Sequence, residues 1–470
     1  MKPNVLCVSV DSLRGDYCSF LDSDRETTPF LANISKQSTV YESAITPSTW
    51  TLPVHTSIFS GLFPPEHGVI TGGEVLGDQP TFAEVLRESG YQTRAFYQNA
   101  WLDTGGIIRG FETSNDNDDD LSEGNSLKAR FADAVGSVSP TIEKFLEQGY
   151  DGQLLYREWA NEDDDWTGKE RPGENDVDSA LEQVEELTEP FCWFVHLNDA
   201  HWQYEPPKPH HKAFTDRSAL SLTKNIVYWQ ERVYGSRTSR LETTSGAFEP
   251  PKREVDTFGD LYRGAIRYCD ALIEKLVQGL QSAGVWDETV LIVFGDHGDS
   301  FGESDVFGHH FTTDESVIRV PLVIRDPTQQ LQNGNVSDPV SLVDLYPTIL
   351  DLAGVDVPDN SGIKLTEGTR SEAYTYYDIS DHEYYTQAPD RGVRKEDLPA
   401  PTQHVVWRSA NDRVTHYPQS DEYVVRGDRR EELQNRLEDH RNSLTKVATG
   451  GRNLSSDVER RLEDMGYLKE

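Results

Sequence analysis

The chain is poor in several things at once. Of its 470 residues four are Cys and two are Met, and only 14 of the 44 basic residues are Lys. The cysteines, Cys7, Cys18, Cys192 and Cys269, show no C-x-x-C spacing, so neither a zinc site nor a disulfide framework is indicated. Cys7 and Cys192 stand inside apolar runs, as small buried hydrophobes do. No apolar run reaches the ~18 residues that cross a bilayer, and no basic-then-apolar leader opens the sequence. A cytoplasmic protein with no membrane span is expected. Basic residues are outnumbered by 81 acidic ones, giving a formal net charge of -37. This acidity argues against nucleic acid as a partner, because phosphate backbones need clustered Lys and Arg. A small anionic substrate is not excluded, since a metal ion and local Arg or His reverse the field inside a cleft.

What is present is charge spread along the whole length. Such an acidic surface, low in Lys, is a salt-adapted composition. At molar salt the Debye length falls to about 3 Å and the self-repulsion is screened. A halophilic, haloarchaeal source is expected. Short apolar runs alternate with helical patterns over the first ~355 residues. Strands are read at Val5–Val10, Thr93–Tyr97, Phe191–His196, Val290–Phe294 and Pro321–Ile324. Helices are read around Thr56–Ser60, at Thr81–Ser89, Val177–Leu187, Leu261–Ala283 and Leu345–Ala353. This alternation predicts an α/β fold, a large, mainly parallel sheet sandwiched by helices, spanning residues 1–357. Polar, acidic excursions interrupt it at about 113–176 and 208–256, the second read equally as a lid or wall over a cleft and as a solvated surface excursion. Residues 358–470 read as a smaller C-terminal α+β subdomain, with strands near His404–Arg408 and Tyr423–Arg426 and a helix at Arg430–Leu444.

Ligand groups in such sheets collect at the carboxyl ends of the strands. Asp11 ends the first strand, and Asp296–His297 follows VLIVFG. A carboxylate beside an imidazole, flanked by Gly295 and Gly298, binds a divalent ion from two directions. Hard oxygens with a single His suit Mg, Mn or Ca, with Zn less secure. Pro53 fits a helix's first turn, which sets Thr51 just ahead of a helix N-terminus that favours an anion. By itself Asp11 is as readily a helix cap, and Thr51 an ordinary N-cap.

Five stretches, in order, decide between these readings: NVLCVSVDSLRGD; STWTLPVHTSIFSGLFPPEHGV; FVHLNDAHWQYEPP; YRGAIRYCDALIEKL with VLIVFGDHGDSFGE and GHHFTTDESVIRVPLVI; and VSLVDLYPTILDLAGV. Together they resemble the sulfatase family within the alkaline phosphatase superfamily, over about residues 3–355. The resemblance implies that Asp11, Asp296 and His297 are metal ligands for one divalent ion (Mg, Mn, Ca or Zn). It implies Thr51 as nucleophile and metal contact, and His201 as a contact to the substrate's anionic group. His55 falls where the family signature has an Arg. His309, with His310 beside it, falls where many members have a substrate-binding Lys. Arg14, one turn beyond Asp11, is a further candidate for the anion. His67 is expected to shape a turn, and Asp344 to cap the Leu345 helix.

The departures are as informative. Formylglycine sulfatases need Cys or Ser at the nucleophile and Arg two residues after the Pro; here stand Thr51 and His55. Oxidising Thr would give a ketone, so an aldehyde-hydrate route is closed. The second Asp of the family's Asp-Asp pair is Ser12, and YQNAWL occupies the region of its G-K-W-H segment. The expectation is a metal-dependent, sulfatase-like hydrolase cleaving a sulfate or phosphate ester of a small glycan or aryl alcohol. The alternatives are a phosphodiesterase or phosphonate ester hydrolase, a phosphoglycerol-type transferase, and an anion-binding pseudoenzyme. A two-metal mutase is disfavoured by the short Asp199-Ala200-His201 spacing.

Overall fold

A computed structural model describes residues 2–113 and 171–451, with Val458. A nine-stranded sheet forms the centre, in the order 334–336, 39–45, 319–325, 289–295, 4–10, 191–197, 92–96, 112–113, with 340–341 also paired to 39–45. Strand Asn4–Val10 lies parallel to both Phe191–Leu197 and Thr289–Gly295. Arg319–Arg325 runs antiparallel to its two neighbours. The sheet is therefore mixed and mainly parallel, as expected.

The central strands are buried along their whole length, which is why they read as continuous apolar runs rather than alternating ones. Alternate side chains enter two different cores. Val5, Cys7, Val290 and Ile292 pack with Leu52, Phe59 and Ile349, from helices Thr51–Ser60 and Leu345–Leu352. Leu6, Val8, Leu291 and Val293 pack with Leu261, Ala265 and Leu272 of the long helix Lys252–Ser282. All four cysteines are buried and free. No described helix is long and apolar enough to cross a membrane.

The expected strands and helices are found with small shifts of boundary. The long helix begins at Lys252, nine residues before the expected start, so the end of the excursion read as 208–256 belongs to it. Its preceding part forms helices Ala219–Trp229 and Arg237–Thr244. Most of the excursion read as 113–176 lies outside the described residues; Pro172–Glu182 is helical. A four-stranded antiparallel sheet, 373–378, 402–409, 412–417 and 422–426, carries helix Arg430–Ser443 in the C-terminal part.

Asp344 does more than cap a helix. It is fully buried and accepts from Ser341 N at 2.9 Å, Ile363 N at 2.8 Å and Arg370 Nε at 2.9 Å. It thus ties the last helix of the body to the chain leading into the C-terminal sheet. Removing one partner of a buried pair leaves the other charge uncompensated. Asp344→Ala is expected to lower unfolding free energy by about 3–5 kcal/mol, read from denaturant midpoints; a loss below about 1 kcal/mol would show that Arg370 finds other compensation.

Candidate active site

Strands 4–10, 191–197, 289–295 and 92–96 all point the same way, and 39–45, antiparallel to 319–325, joins them. Each therefore delivers its next residues to one edge of the sheet. These are Asp11, the 198–201 loop, Asp296–His297, Asn99 and the segment that opens helix Thr51–Ser60. Thr51 is the first residue of that helix, with Trp50 as N-cap, rather than the residue before it.

The four sequence candidates converge. Thr51 Oγ1 donates to Asp11 Oδ2 at 3.4 Å. His297 Nε2 lies 3.5 Å from Asp11 Oδ1 and 3.7 Å from Asp296 Oδ2. Asp11, Asp296 and His297 offer ligand atoms all within 4.8 Å of one another, and all three are buried. Asp296 Oδ2 and His297 Nε2 have no hydrogen-bond partner among the described residues. Buried polar atoms are rarely left so, and two carboxylates with one imidazole suit a divalent cation. The residues present fit a metal ion.

The electrostatics agree. Burial opposes ionisation of Asp11, but His201, His196 and His297 around it hold its carboxyl well below the usual range. Burial pushes the Asp296 carboxyl well above it, and the Asp11 carboxylate adds to the rise. Two buried carboxylates sharing one space resist double ionisation unless a cation lies between them.

Sequence reading missed several members. His196 Nε2 is 3.2 Å and Asn99 Nδ2 2.9 Å from Asp11 Oδ2. Ser12 donates its N–H to Asp296 Oδ1 at 3.0 Å and its hydroxyl to Asp11 Oδ1 at 3.1 Å. It holds φ at 58°, a left-handed conformation uncommon outside Gly. Asp299 accepts from His309 Nδ1 at 2.8 Å and Tyr204 Oη at 2.7 Å. His196 was hidden inside an apolar strand, where its alternation with Phe194 is the available signal. Asn99 lay in YQNAWL, read only as a missing motif.

His201, His309 and His310 line a cleft of about 580 Å³. His309 stands 4.5 Å from His297 and 5.8 Å from His201, ring centre to ring centre. His310 Nδ1 is buried without a hydrogen-bond partner among the described residues. Tyr234, Arg240 and Thr244, from the second excursion, form the opposite wall. Burial lowers the pKa of His201, His297 and His309.

Two of the expected residues are not brought to the cleft. The Arg14 guanidinium is engaged by its own chain. It forks onto Asp16 (2.9 and 2.7 Å) and reaches Glu303 (2.6 Å) and Asp299 O (2.9 Å). His55 lies beneath the cleft, fully buried. Its Nδ1 donates to Thr51 O at 2.9 Å and its Nε2 accepts from Ser9 Oγ at 3.0 Å. Burial lowers its pKa to about 3, so it is a neutral brace under Thr51. His67 keeps its expected part, bonding Ser57 Oγ and Val69 N around a turn.

The family model described as Sulfatase matches residues 3–355. The chain belongs to the sulfatase family. Arylsulfatase K of Bos taurus is 25% identical over 390 residues, covering 77% of this sulfatase-family chain and 65% of its own. Choline-sulfatase of Rhizobium meliloti (strain 1021) is 25% identical over 372 residues, covering 76% and 69%. The chain thus spans about 65% of the length of the arylsulfatase K it matches. The phosphonate monoester hydrolase of Agrobacterium radiobacter superposes with a TM-score of 0.65 at 18% identity, over 96% of this chain and 100% of that one. These likenesses bear out the alkaline phosphatase-like fold.

The candidate metal-ligand set gives a test that needs no substrate. The folded pKa of Asp296 is raised above its ordinary 3.8. In chelator-stripped protein its share of stability is therefore present below about pH 3.8 and lost as pH rises through the raised value. A divalent ion is expected to abolish that loss. Asp296→Asn is expected to remove both the loss and tight metal retention. Melting temperature against pH, with and without chelator, and metal content after dialysis check this; an unchanged pH slope in the variant would count against the site.

Proposed function

We propose that this sulfatase-family chain is a metal-dependent hydrolase that cleaves a sulfate or phosphate ester, with Thr51 as nucleophile. The observation that carries the reading is the convergence of the Thr51 hydroxyl with Asp11, Asp296 and His297 at one sheet edge. A divalent ion held by Asp11, Asp296, His297 and Thr51, Mg, Mn, Ca or Zn, would act as a Lewis acid there, favouring the alkoxide and neutralising charge on the substrate's oxygens.

The chain's own groups do the rest. Nδ1 of His201, His297 and His309 donates to Trp202 O, Gly298 O and the Asp299 carboxylate respectively. In the neutral imidazole this leaves Nε2 as a lone pair. Burial keeps these rings neutral at pH 7, the resting form a proton shuttle needs. His309, with His201 beside it, takes the Thr51 proton and returns it to the leaving oxygen as the bond from sulfur or phosphorus to that oxygen breaks. A water then attacks the Thr51 ester, the same imidazole carries its proton back to Thr51, and sulfate or phosphate departs. Asp299 keeps His309 in one orientation throughout. The N–H groups at the start of helix Thr51–Ser60 favour the anion. The substrate alcohol lies in the cleft beside the second excursion.

The residue type at position 51 favours the phosphate side as a second reading. A Thr sulfate ester has no hemiacetal-like route of release, and water must attack sulfur directly. Phosphodiester and phosphonate ester cleavage, or phosphoryl-group transfer to another alcohol, are less burdened. Aryl sulfate, a phosphate diester and a phosphonate monoester, assayed in parallel with Mg or Mn in molar KCl, distinguish these. Thr51→Ala is expected to lower kcat about a thousandfold or more with little change in melting temperature. Activity retained in that variant removes Thr51 from the mechanism. A metal-loaded wild type inert on all three esters leaves the anion-binding pseudoenzyme.

A further inference from the structure

A second groove lies away from the catalytic cleft, between the segment that follows His310 and the C-terminal sheet. It is open to solvent, spans about 680 Å³, and its lining includes Thr312, Asp314, Gln403, Arg413, Tyr417 and Arg426. Arg413 and Arg426 are direct cross-strand neighbours on the antiparallel strands 412–417 and 422–426. Like charges so placed repel, and in a chain of net charge -37 the pairing stands out.

Their compensation is incomplete. Arg413 is only 6% exposed, and its Nη1 is buried with no hydrogen-bond partner among the described residues. Asp314 Oδ2 is 3.7 Å from Arg413 Nη2, beyond hydrogen-bonding distance. Asp314 is also engaged elsewhere, accepting Ser316 N at 3.2 Å and Ser304 Oγ at 2.9 Å. Glu315, the next acid along, lies 3.7 Å from Arg319. Burial lowers the Arg413 pKa, with the Arg426 charge next in importance. A guanidinium nitrogen of a residue that lines the groove is thus buried without an acceptor among the described residues.

We propose that this groove is an oxoanion site, binding sulfate or phosphate between Arg413 and Arg426. Guanidinium groups present paired N–H donors that match tetrahedral oxoanions. Thr312 adds a hydroxyl; its oxygen already accepts Asp314 N at 3.0 Å, leaving its O–H to donate. The wall is tied to the catalytic segment. Gln403 Oε1 accepts from Thr313 Oγ1 at 2.8 Å, and Gln403 Nε2 donates to Phe311 O at 2.8 Å. Phe311 directly follows His310, so an anion here braces the chain that carries His309 and His310. The site stands on its own geometry and does not require the reaction proposed above.

The exposed partner is the one to vary. At constant ionic strength, set with chloride, inorganic sulfate and inorganic phosphate are titrated calorimetrically into wild type, Arg426→Gln and the cleft variant His309→Gln. Sulfate is expected to bind His309→Gln through this groove as in wild type, and to bind Arg426→Gln about tenfold or more weakly there. Without sulfate or phosphate, Arg426→Gln is expected to melt at or above wild type, because the repulsion is gone; with saturating anion the order reverses. A monosaccharide sulfate run alongside separates the sources: tighter binding than inorganic sulfate indicates an esterified ligand, equal or weaker binding a free anion. Equal affinity and stoichiometry in wild type and Arg426→Gln overturn the proposal, as does the loss of all anion binding in His309→Gln.

Discussion

Two carboxylates that cannot comfortably both be charged govern this structure. Asp11 and Asp296 are fully buried at the ends of adjacent parallel strands. One is held ionised by three imidazoles, and the other is pushed towards its protonated form. Everything nearby arranges itself around that imbalance. Ser12 N, Ser12 Oγ and His297 N satisfy some of the oxygens. Asn99 and His196 satisfy another, and Asp296 Oδ2 is left over. A burial penalty of this size persists in a folded protein only where something repays it. A cation is the economical answer, and the orphaned His297 Nε2 on the same side supports it.

The fold was legible because its centre obeys one rule. Strands covered by helices on both faces are apolar throughout, so VLCVSV, FCWFVH and VLIVF announced themselves. The strand Thr39–Ile45 did not, because Glu42 and Ser43 interrupt it near the sheet's border. The polar first turns of helix Lys252–Ser282 hid its start for the same reason. Site residues followed a similar division. Those at strand ends, Asp11, Asp296 and His297, could be picked out because the parallel sheet fixes which end matters. Those whose role depends on a distant partner could not. Arg14 looked free in sequence, but Asp16 and Glu303 claim it. Asp299 was not singled out in sequence, yet it accepts from His309 across ten positions. Spacing carries direction along a strand; it carries no information about which loop folds back to meet it.

Ser12 shows how a substitution in a motif redistributes a duty rather than deleting it. A second carboxylate at that position would have increased the repulsion already borne by Asp11 and Asp296. The hydroxyl and the N–H of Ser12 instead donate to one carboxylate each. Ser12 O in turn accepts from Tyr262 Oη at 2.6 Å, which fixes the left-handed turn from the far side. The candidate metal-ligand set is thus poorer in charge and richer in hydrogen bonds.

The same logic extends to the anion's side of the cleft. At the positions where the family resemblance implies an Arg and a Lys, this chain has His55 and His309. His55 is sealed below Thr51 as a neutral ring, and His309 is depressed by burial with His297 beside it. Arg14 is neutralised by two acids, and Arg240 lines the cleft on the side of the second excursion. The permanent positive charges that would hold a sulfate or phosphate are therefore largely absent from the histidine wall. In the function proposed, anion affinity beside Thr51 would then follow occupancy of the metal site more steeply than in a cleft whose wall carried Arg and Lys at those positions. Binding of the two charges would be one linked event, because each would relieve a repulsion that the other site's residues cannot relieve alone.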